Sequence, residues 1–287
     1  MVEVKVDPPT SARRHSNRAS DQQTRSRGPR PLFSIITVVM NDVQGFMDTR
    51  ASVAALSEES YEWIVVDGQS NDGLPEYLRR GDALVTRWVS EPDLGIYDAM
   101  NKGVTLARGQ YVVFMNAGDR FKDPESLTYV RELVVAEEMK PDVVFGGAQL
   151  VFANGLAFYR SPRRAERTIW HGLPANHQAT YYLRSWLREL PYDLSFYVCG
   201  DYYLIASLMR RGAHAAYLNR PLVRFRAGGT SHQRKSDLLT EPYRIQRDIL
   251  HEPWWLRAVS FFRRLVATSL ISGIEALPRV TRRGGGN

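Results

Sequence analysis

Residues 32–40 form an almost unbroken apolar, β-branched run, Leu32-Phe33-Ser34-Ile35-Ile36-Thr37-Val38-Val39-Met40. A run this short with so few polar breaks leaves no face for water. It reads as a strand covered on both sides, the kind that parallel sheets contain. The pattern then alternates. Residues 43–56 are helical in periodicity, with Phe46, Val53 and Leu56 on the inner face. Residues 62–66 are a second strand and run into Asp67-Gly68-Gln69-Ser70-Asn71-Asp72-Gly73, a dense turn signal. A short helix at 75–80, a strand at 84–89, a helix at 95–107 and a strand at 111–115 follow. Asp123-Pro124 is a helix start, because Asp caps free amides and Pro suits the first turn. That helix is expected to reach about residue 139, ahead of a strand at 143–152. Strand and helix repeated in this way imply right-handed crossovers and an open α/β sheet.

The second half is less regular. Residues 168–184 mix aromatic side chains, His and Asn. Residues 201–211 are helical and stop at Gly212, a natural C-cap. A strand at 213–217, a turn at Gly228-Gly229 and a last helix at 253–274 complete the reading. Residues 1–30 carry almost no large apolar side chain after Val6 and are expected to be disordered, with order starting at Pro31. The expected organisation is a basic tail over 1–30, one α/β domain over 31–235, a helical extension over 236–275 and a disordered tail over 276–287.

The chain has 287 residues, 44% of them hydrophobic, enough for one sizeable core. Its net charge of +7 is concentrated at the ends. Arg13, Arg14, Arg18, Arg25, Arg27 and Arg30 crowd one terminus, and Arg257, Arg263, Arg264, Arg279, Arg282 and Arg283 the other. Basic ends either meet a phosphate-rich partner or are simply solvated. Cys199 is the single cysteine, so an intramolecular disulfide is excluded, and no Asn-x-Ser/Thr acceptor occurs. Both facts suit a reducing, cytoplasmic setting. No apolar leader is expected at the N-terminus. Nor is a membrane span expected, since no stretch of about 20 apolar residues runs uninterrupted.

In an open α/β sheet, ligands bind beyond the carboxyl ends of the strands. Three polar clusters fall there: Asn41-Asp42, Asp67-Gly68, and Asn116-Ala117-Gly118-Asp119. Singly, each reads as an ordinary turn; together they mark a ligand edge. The Gly-x-Gly-x-x-Gly of a dinucleotide fold is absent, and Leu74-Pro75 stands where a P-loop needs Lys-Ser/Thr. His-Glu-x-x-His, paired cysteines and Gly-x-Ser-x-Gly are absent too, which leaves zinc hydrolysis and a serine-hydrolase elbow unsupported. A carboxylate beside small residues suits a divalent cation that neutralises a pyrophosphate leaving group, and Asp119 is placed for it. Asp201 follows Gly200 and precedes Tyr202-Tyr203. It is either a general base lifted by aromatic surroundings or an acidic residue favoured by the helix dipole.

Four segments together resemble the family 2 glycosyltransferases, in particular the bacterial branch that builds polysaccharides and glycolipids. They are Phe33-Ser34-Ile35-Ile36-Thr37, the 65–73 strand and turn, Ser90-Glu91-Pro92-Asp93-Leu94-Gly95-Ile96-Tyr97-Asp98-Ala99-Met100-Asn101-Lys102-Gly103, and Phe114-Met115-Asn116-Ala117-Gly118-Asp119. The resemblance covers about residues 32–235 and is most specific over 91–103. It implies a GT-A fold with a mostly parallel central sheet and a C-terminal helical extension. It also implies a nucleotide-diphosphate sugar donor, a divalent cation (Mn2+ or Mg2+), and inverting transfer to an acceptor hydroxyl. By the same resemblance, Thr37, Val38 and Asn41 line the nucleotide pocket, and Asp67 and Gly68 meet base or ribose. Asp93, Gly95, Asn101 and Lys102 form the loop and helix start beside nucleotide and sugar. Asn116 and Asp119 occupy the place of the Asp-x-Asp motif, with Asp119 as the metal carboxylate. Asp201, in Gly200-Asp201-Tyr202-Tyr203-Leu204, is the catalytic base, and His177-Gln178 is an acceptor-side pair. The chain departs from the family pattern where Asn116 and Gly118 replace acidic residues, and where Gly200 replaces the acidic residue that often precedes the base.

The last helix carries Trp254, Trp255, Phe261, Phe262, Leu265, Val266, Leu270 and Ile271 alongside Arg257, Arg263 and Arg264. A basic amphipathic helix with tryptophans at one end suits a membrane surface, or else docks on protein. Expected partners are therefore the donor, a glycan or lipid-linked acceptor, and a membrane surface through 254–274. The location that follows is cytoplasmic, or peripheral on the inner face of the plasma membrane. The alternative function is a non-catalytic nucleotide-sugar or glycan-binding relative. Nucleic acid is not an expected partner, because no helix-turn-helix, zinc-finger or RNA-binding signature occurs.

Overall fold

A computed structural model describes residues 21–24, 30–152, 154–226 and 236–275. In chain order its first half contains β1 (Asp21–Thr24), β2 (Phe33–Val39), α1 (Val43–Ala54), β3 (Tyr61–Asp67), α2 (Leu74–Arg80), β4 (Val85–Ser90), α3 (Ile96–Leu106), β5 (Tyr111–Phe114) and β6 (Arg120–Phe121). The rest is α4 (Ser126–Ala136), β7 (Val143–Val151), β8 (Ala157–Arg160), α5 (Ala165–Thr168), a 3-10 turn (His177–Ala179), β9 (Thr180–Leu183), α6 (Arg184–Glu189), α7 (Gly200–Arg210), β10 (Ala215–Arg226), α8 (Asp237–Asp248) and α9 (Trp254–Glu275).

One sheet runs in the order β1-β4-β3-β2-β5-β9-β7-β10-β6, with β8 added to β7. From β4 to β5 every pairing is parallel. Beyond β5, β9 inserts antiparallel between β5 and β7, and β10 returns parallel to β7. Every residue of β2 is buried, as its composition demands. Alternation along that strand feeds two cores. Ile36 and Val38 join Met100 and Val104 of α3 and Leu204 and Leu208 of α7 on one face. Phe33, Ile35 and Val39 join Phe46 and Val53 of α1 and Leu127 and Val130 of α4 on the other. Each such fully buried side chain contributes about 1.5–3 kcal/mol relative to exposure. On the α1 face Phe46 stacks on Trp63, with centroids 5.4 Å apart. α3 lies so close to the sheet that a Cβ on Gly103 would come within 2.4 Å of Ile36.

Several expectations change. Residues 21–24, placed in a disordered tail, pair antiparallel with β4. α4 starts at Ser126 rather than Asp123 and ends at Ala136, with no side-chain cap. Asp123 instead closes a turn in which Ser126 Oγ donates to its carbonyl at 2.7 Å. β9 and α6 arise from a stretch read as irregular, and β10 runs on to Arg226 past two register shifts at Pro221. α8 contains Pro242, which hides its helical periodicity. The Gly228-Gly229 turn, the 276–287 tail and most of the 1–30 tail lie outside the described residues.

α8 and α9 pack onto the body rather than trailing from it. Gln246 of α8 donates to Ser260 of α9 at 2.6 Å, both buried. Glu241 of α8 and Arg264 of α9 in turn hydrogen-bond to the body, at the Tyr197–Cys199 amides and the His171 carbonyl. Among the described residues, no helix is long and apolar enough to cross a membrane.

Candidate active site

The carboxyl ends of β2 and β5, the start of α3 and the start of α7 surround a cavity of about 720 Å³. Val38, Asp93, Gly95, Asn116, Asp119, His177, Gln178 and Asp201, all singled out from the sequence, line it. They come from five separate segments and meet only in the folded chain.

The 116–119 turn is clamped by Thr49 of α1. Thr49 Oγ1 donates toward the carbonyls of Asn116 (3.1 Å) and Asp119 (2.8 Å) and accepts from the amide of Gly118 at 3.0 Å. Gly118 takes φ +88°, a left-handed conformation that favours glycine. This explains why a residue of the expected acidic motif is a glycine here. Asp119 accepts from Gln178 Nε2 at 3.2 Å. Burial pushes its carboxyl up to about 7, with Gln178 opposing the shift. Asn116 Oδ1 is buried with no hydrogen-bond partner among the described residues. The turn thus offers two hard oxygens, one carboxylate and one amide, which suit Mn2+ or Mg2+ when diphosphate oxygens complete the shell. Among the described residues no three His, Cys, Asp or Glu side chains gather as a metal cluster, so the protein alone does not complete it.

Asp201 stands in the first turn of α7. Burial lifts its carboxyl to about 6, partly offset by the Tyr202 amide, which donates at 2.8 Å, and by Arg160. The approach to α7 is held by groups the sequence reading missed. Glu241 of α8 accepts from the amides of Tyr197 (2.7 Å), Val198 (3.0 Å) and Cys199 (2.7 Å). Tyr97 donates to the Val198 carbonyl and accepts from the Gly200 amide at 2.9 Å. A Cβ on Gly200 would meet the Tyr97 ring at 2.7 Å, which explains the glycine in place of an acidic residue. No local signal marks Glu241, which lies 40 residues beyond Asp201 in the chain. His177 is driven down to about 4 by burial, so its ring is neutral at pH 7.

The structure keeps the remaining expected residues off the cavity wall. Thr37 is fully buried, donating to the Met115 carbonyl at 2.7 Å and accepting from Trp63 Nε1. Asn101 spends both ends of its amide on the Tyr192 backbone, at 3.0 and 2.9 Å. Lys102 lies 2.7 Å from Asp93, 3.2 Å from Glu91 and 3.3 Å from Asp98. Burial opposes its charge, but these carboxylates push it up to about 12. Lys102 therefore ties the 91–98 loop together and holds Asp93, whose carboxyl burial raises and Lys102 lowers. Asp67 is buried, accepting from Ser90 Oγ at 2.6 Å and from the Ser70 amide. A Cβ on Gly68 would meet Asp93 Oδ2 at 2.9 Å. Asn41, at φ +51°, accepts from the Asn71 amide at 2.9 Å. These residues build the rim that positions Asp93 and Gly95. Asp42, from the Asn41-Asp42 cluster, also lines the cavity, and Gln44, Asp48, Tyr97 and Tyr197 are among the lining side chains that were not foreseen.

Fold and cavity together define an open α/β protein of the GT-A type, with its cavity at the carboxyl ends of the parallel strands, where such sheets bind ligands. The profile described as Glycosyl transferase family 2 matches residues 34–218, and the chain belongs to that family. An uncharacterised glycosyltransferase of Mycobacterium tuberculosis is 32% identical over 176 residues, which cover 60% of this chain and 66% of that relative. A PGL/p-HBAD biosynthesis glycosyltransferase of Mycobacterium bovis is 29% identical over 181 residues, covering 60% of this chain and 67% of the relative. The chain thus matches somewhat under two thirds of the length of the first of these, at 66%. Among solved structures, S. aureus TarS 1-349 in complex with UDP-GlcNAc superposes with a TM-score of 0.63 at 15% identity, over 84% of this chain and 74% of that 1-349 chain. The mannosyltransferase PcManGT of Pyrobaculum calidifontis, in complex with GDP-Man and Mn2+, gives 0.58 at 17% identity, over 88% and 78% of the two chains.

Proposed function

We propose that this protein is an inverting glycosyltransferase, moving a sugar from a nucleotide-diphosphate donor to an acceptor hydroxyl in polysaccharide or glycolipid synthesis. The observation that carries the reading is the convergence of Asp119 and Asp201 on one cavity, each carboxyl raised by burial. The donor's nucleotide lies along the β2 and α3 side, against Val38, Asp93 and Gly95. Asp119 and Asn116 face the diphosphate and would hold Mn2+ or Mg2+ with it. Such a cation neutralises the charge that develops on the leaving diphosphate. Asp201 takes the proton of the acceptor hydroxyl as its oxygen attacks the anomeric carbon, and the bond to the diphosphate breaks with its electron pair leaving on oxygen. His177, neutral, and Gln178 orient the acceptor. A binding-only relative is the second reading, favoured by the single carboxylate in the 116–119 turn.

A thermal-shift screen of UDP- and GDP-sugars, with and without Mn2+, tests the donor reading. A selective ligand at 100 times its Kd stabilises the fold by about 2.7 kcal/mol. No stabilisation by any nucleotide-sugar sinks the donor site. Stabilisation without turnover across an acceptor panel selects the binding-only reading.

We also place the protein at a cytoplasmic membrane surface through α9. Trp254, Trp255, Val259, Phe262, Leu265, Val266 and Leu270 are all exposed. At 100° per residue they fall on one continuous arc without a charge. Arg257 and Arg264 occupy the opposite arc, where Arg257 covers Tyr243 at 4.8 Å and Arg264 covers Tyr202 at 5.5 Å. Arg263 lies at the border between the two. The cationic side thus grips the body, and the apolar side faces outward. Co-sedimentation with anionic vesicles is expected for the full chain and lost in Trp255→Glu/Phe262→Glu; equal partitioning of the two overturns it.

A further inference from the structure

Beside Asp201, outside the cavity, the loop over residues 169–174 is surrounded by guanidinium groups from three directions. Arg160, at the end of β8, donates through Nη2 to the Leu173 carbonyl at 3.2 Å. Arg163 is fixed through its own amide, which donates to the Pro174 carbonyl at 2.8 Å. From α9, Arg264 donates through Nη2 to the His171 carbonyl, and Arg263 stands 5.9 Å from the Trp170 ring centre. Trp170 and His171 meet edge to face at 4.5 Å. Arg160, Arg163 and Arg263 are exposed, and among the described residues none of the three makes an ion pair with a carboxylate. The patch is tied to the proposed base: Arg160 and Arg264 both lie within electrostatic range of Asp201, and Arg264 covers the adjacent Tyr202 ring. Burial, then Arg263, Arg264 and Arg163, hold His171 below its ordinary value, which registers the positive field on the loop.

Arginines gathered in this way around one loop repel one another, and an anion bound among them relieves that repulsion. A planar guanidinium presents paired donors that match phosphate oxygens. We propose that Arg160, Arg163, Arg263 and Arg264 form a subsite for a phosphoryl group carried by the acceptor, seated next to the hydroxyl that Asp201 deprotonates. The charge of Arg160, Arg163 and Arg263, which no carboxylate among the described residues pairs, suits a phosphate ester or diphosphate. The helix that supplies Arg263 and Arg264 is also the one with the outward apolar arc. An acceptor with a phosphoryl group between a glycan and an apolar chain therefore meets both features of α9 at once. The assignment rests on the acceptor entering beside Asp201.

Isothermal titration of the full chain tests it, using geranyl phosphate, geraniol and inorganic phosphate, with UDP and GDP titrated separately. Geranyl phosphate is expected to bind, with affinity falling as salt rises. Arg163→Ala/Arg263→Ala is expected to weaken that binding at least about tenfold while leaving nucleoside diphosphate binding and the melting temperature unchanged. Inorganic phosphate showing the same dependence on the two arginines assigns recognition to the phosphoryl group alone. Geranyl phosphate binding without inorganic phosphate binding assigns it to a lipid-borne one. Geraniol binding as tightly as its phosphate, or a double variant that binds geranyl phosphate like the parent, overturns the subsite. Failure of UDP and GDP to bind the parent chain counts against the donor reading alone, because the phosphoryl titration does not depend on it.

Discussion

The two sides of the cavity are built by opposite means. On the β2 and β5 side, each functional group sits at the end of a buried strand or at the start of the helix that follows it. Asp93, Gly95, Asn116 and Asp119 all fall within 27 residues of one another. On the α7 side, the proposed base is held by Glu241 from α8, Tyr97 from α3 and a field from Arg160 and Arg264. The first side is local in sequence and regular in backbone. The second is assembled across more than 160 residues, from Tyr97 to Arg264. Strand-end groups come with the fold itself, whereas those on the α7 side have to be gathered by packing. The second kind should be the more fragile.

The largest effect expected on the α7 side is chemical. Asp201→Asn should lower transfer by roughly 10²–10⁴-fold. Donor affinity, read by titration, should stay at the parent value, which separates the two sides cleanly; a loss of donor binding in this variant would break the comparison. Glu241→Ala should come next. It leaves three amides without their shared acceptor, for a loss of about 3 kcal/mol in urea unfolding together with slower transfer. On the donor side, Thr49→Val removes the clamp on the 116–119 turn. It should cost about 1 kcal/mol and mainly weaken donor binding. If Thr49→Val proves the more damaging to transfer at saturating donor, the proposed division of labour fails.

Two pH effects sharpen the contrast. A base raised to about 6 is protonated below that value, so kcat/KM is expected to fall as pH drops through 6 and to level off above it. Asp119, raised to about 7, has the opposite consequence for stability when no cation is added. Its folded-state value exceeds the unfolded one, so ionising it weakens the fold as pH rises from about 4 through 7. Asp119→Asn should therefore be more stable than the parent at pH 8, by on the order of 1–3 kcal/mol, and no different at pH 4. Equal stability at both values would show that Asp119 is solvated after all.

This division also explains what could be read from the chain. The parallel half was legible because each strand is a short apolar run and each connection carries helical periodicity. Eight of the expected site residues line one cavity for the same reason. Thr37, Asn101 and Lys102 were placed at the ligand because they belong to recognisable segments. Residue type and position in a motif do not say which way a side chain turns, and these three turn into the sheet, onto the Tyr192 backbone and onto the 91–98 loop. β9 escaped notice because Thr180-Tyr181-Tyr182-Leu183 is largely buried yet carries three hydroxyls. Within the expected helical extension, α8 was not picked out as an element of its own, because it contains Pro242 and because most of its residues are polar or charged. Glu241, with a structural role equal to any motif residue, has no neighbour in sequence that points to Tyr197, Val198 or Cys199.

The short strand β1 carries a consequence of another kind. A sheet this wide would ordinarily end in open edges, each a row of unpaired amides and carbonyls able to recruit a second chain. Here β4 is covered by the four polar residues Asp21-Gln22-Gln23-Thr24, and the far side ends in the two residues of β6. Strands of four and two residues make poor templates for further pairing. Residues 21–24 thus guard the β4 edge against self-association, and a chain lacking them should keep its cavity yet lose solubility at high concentration.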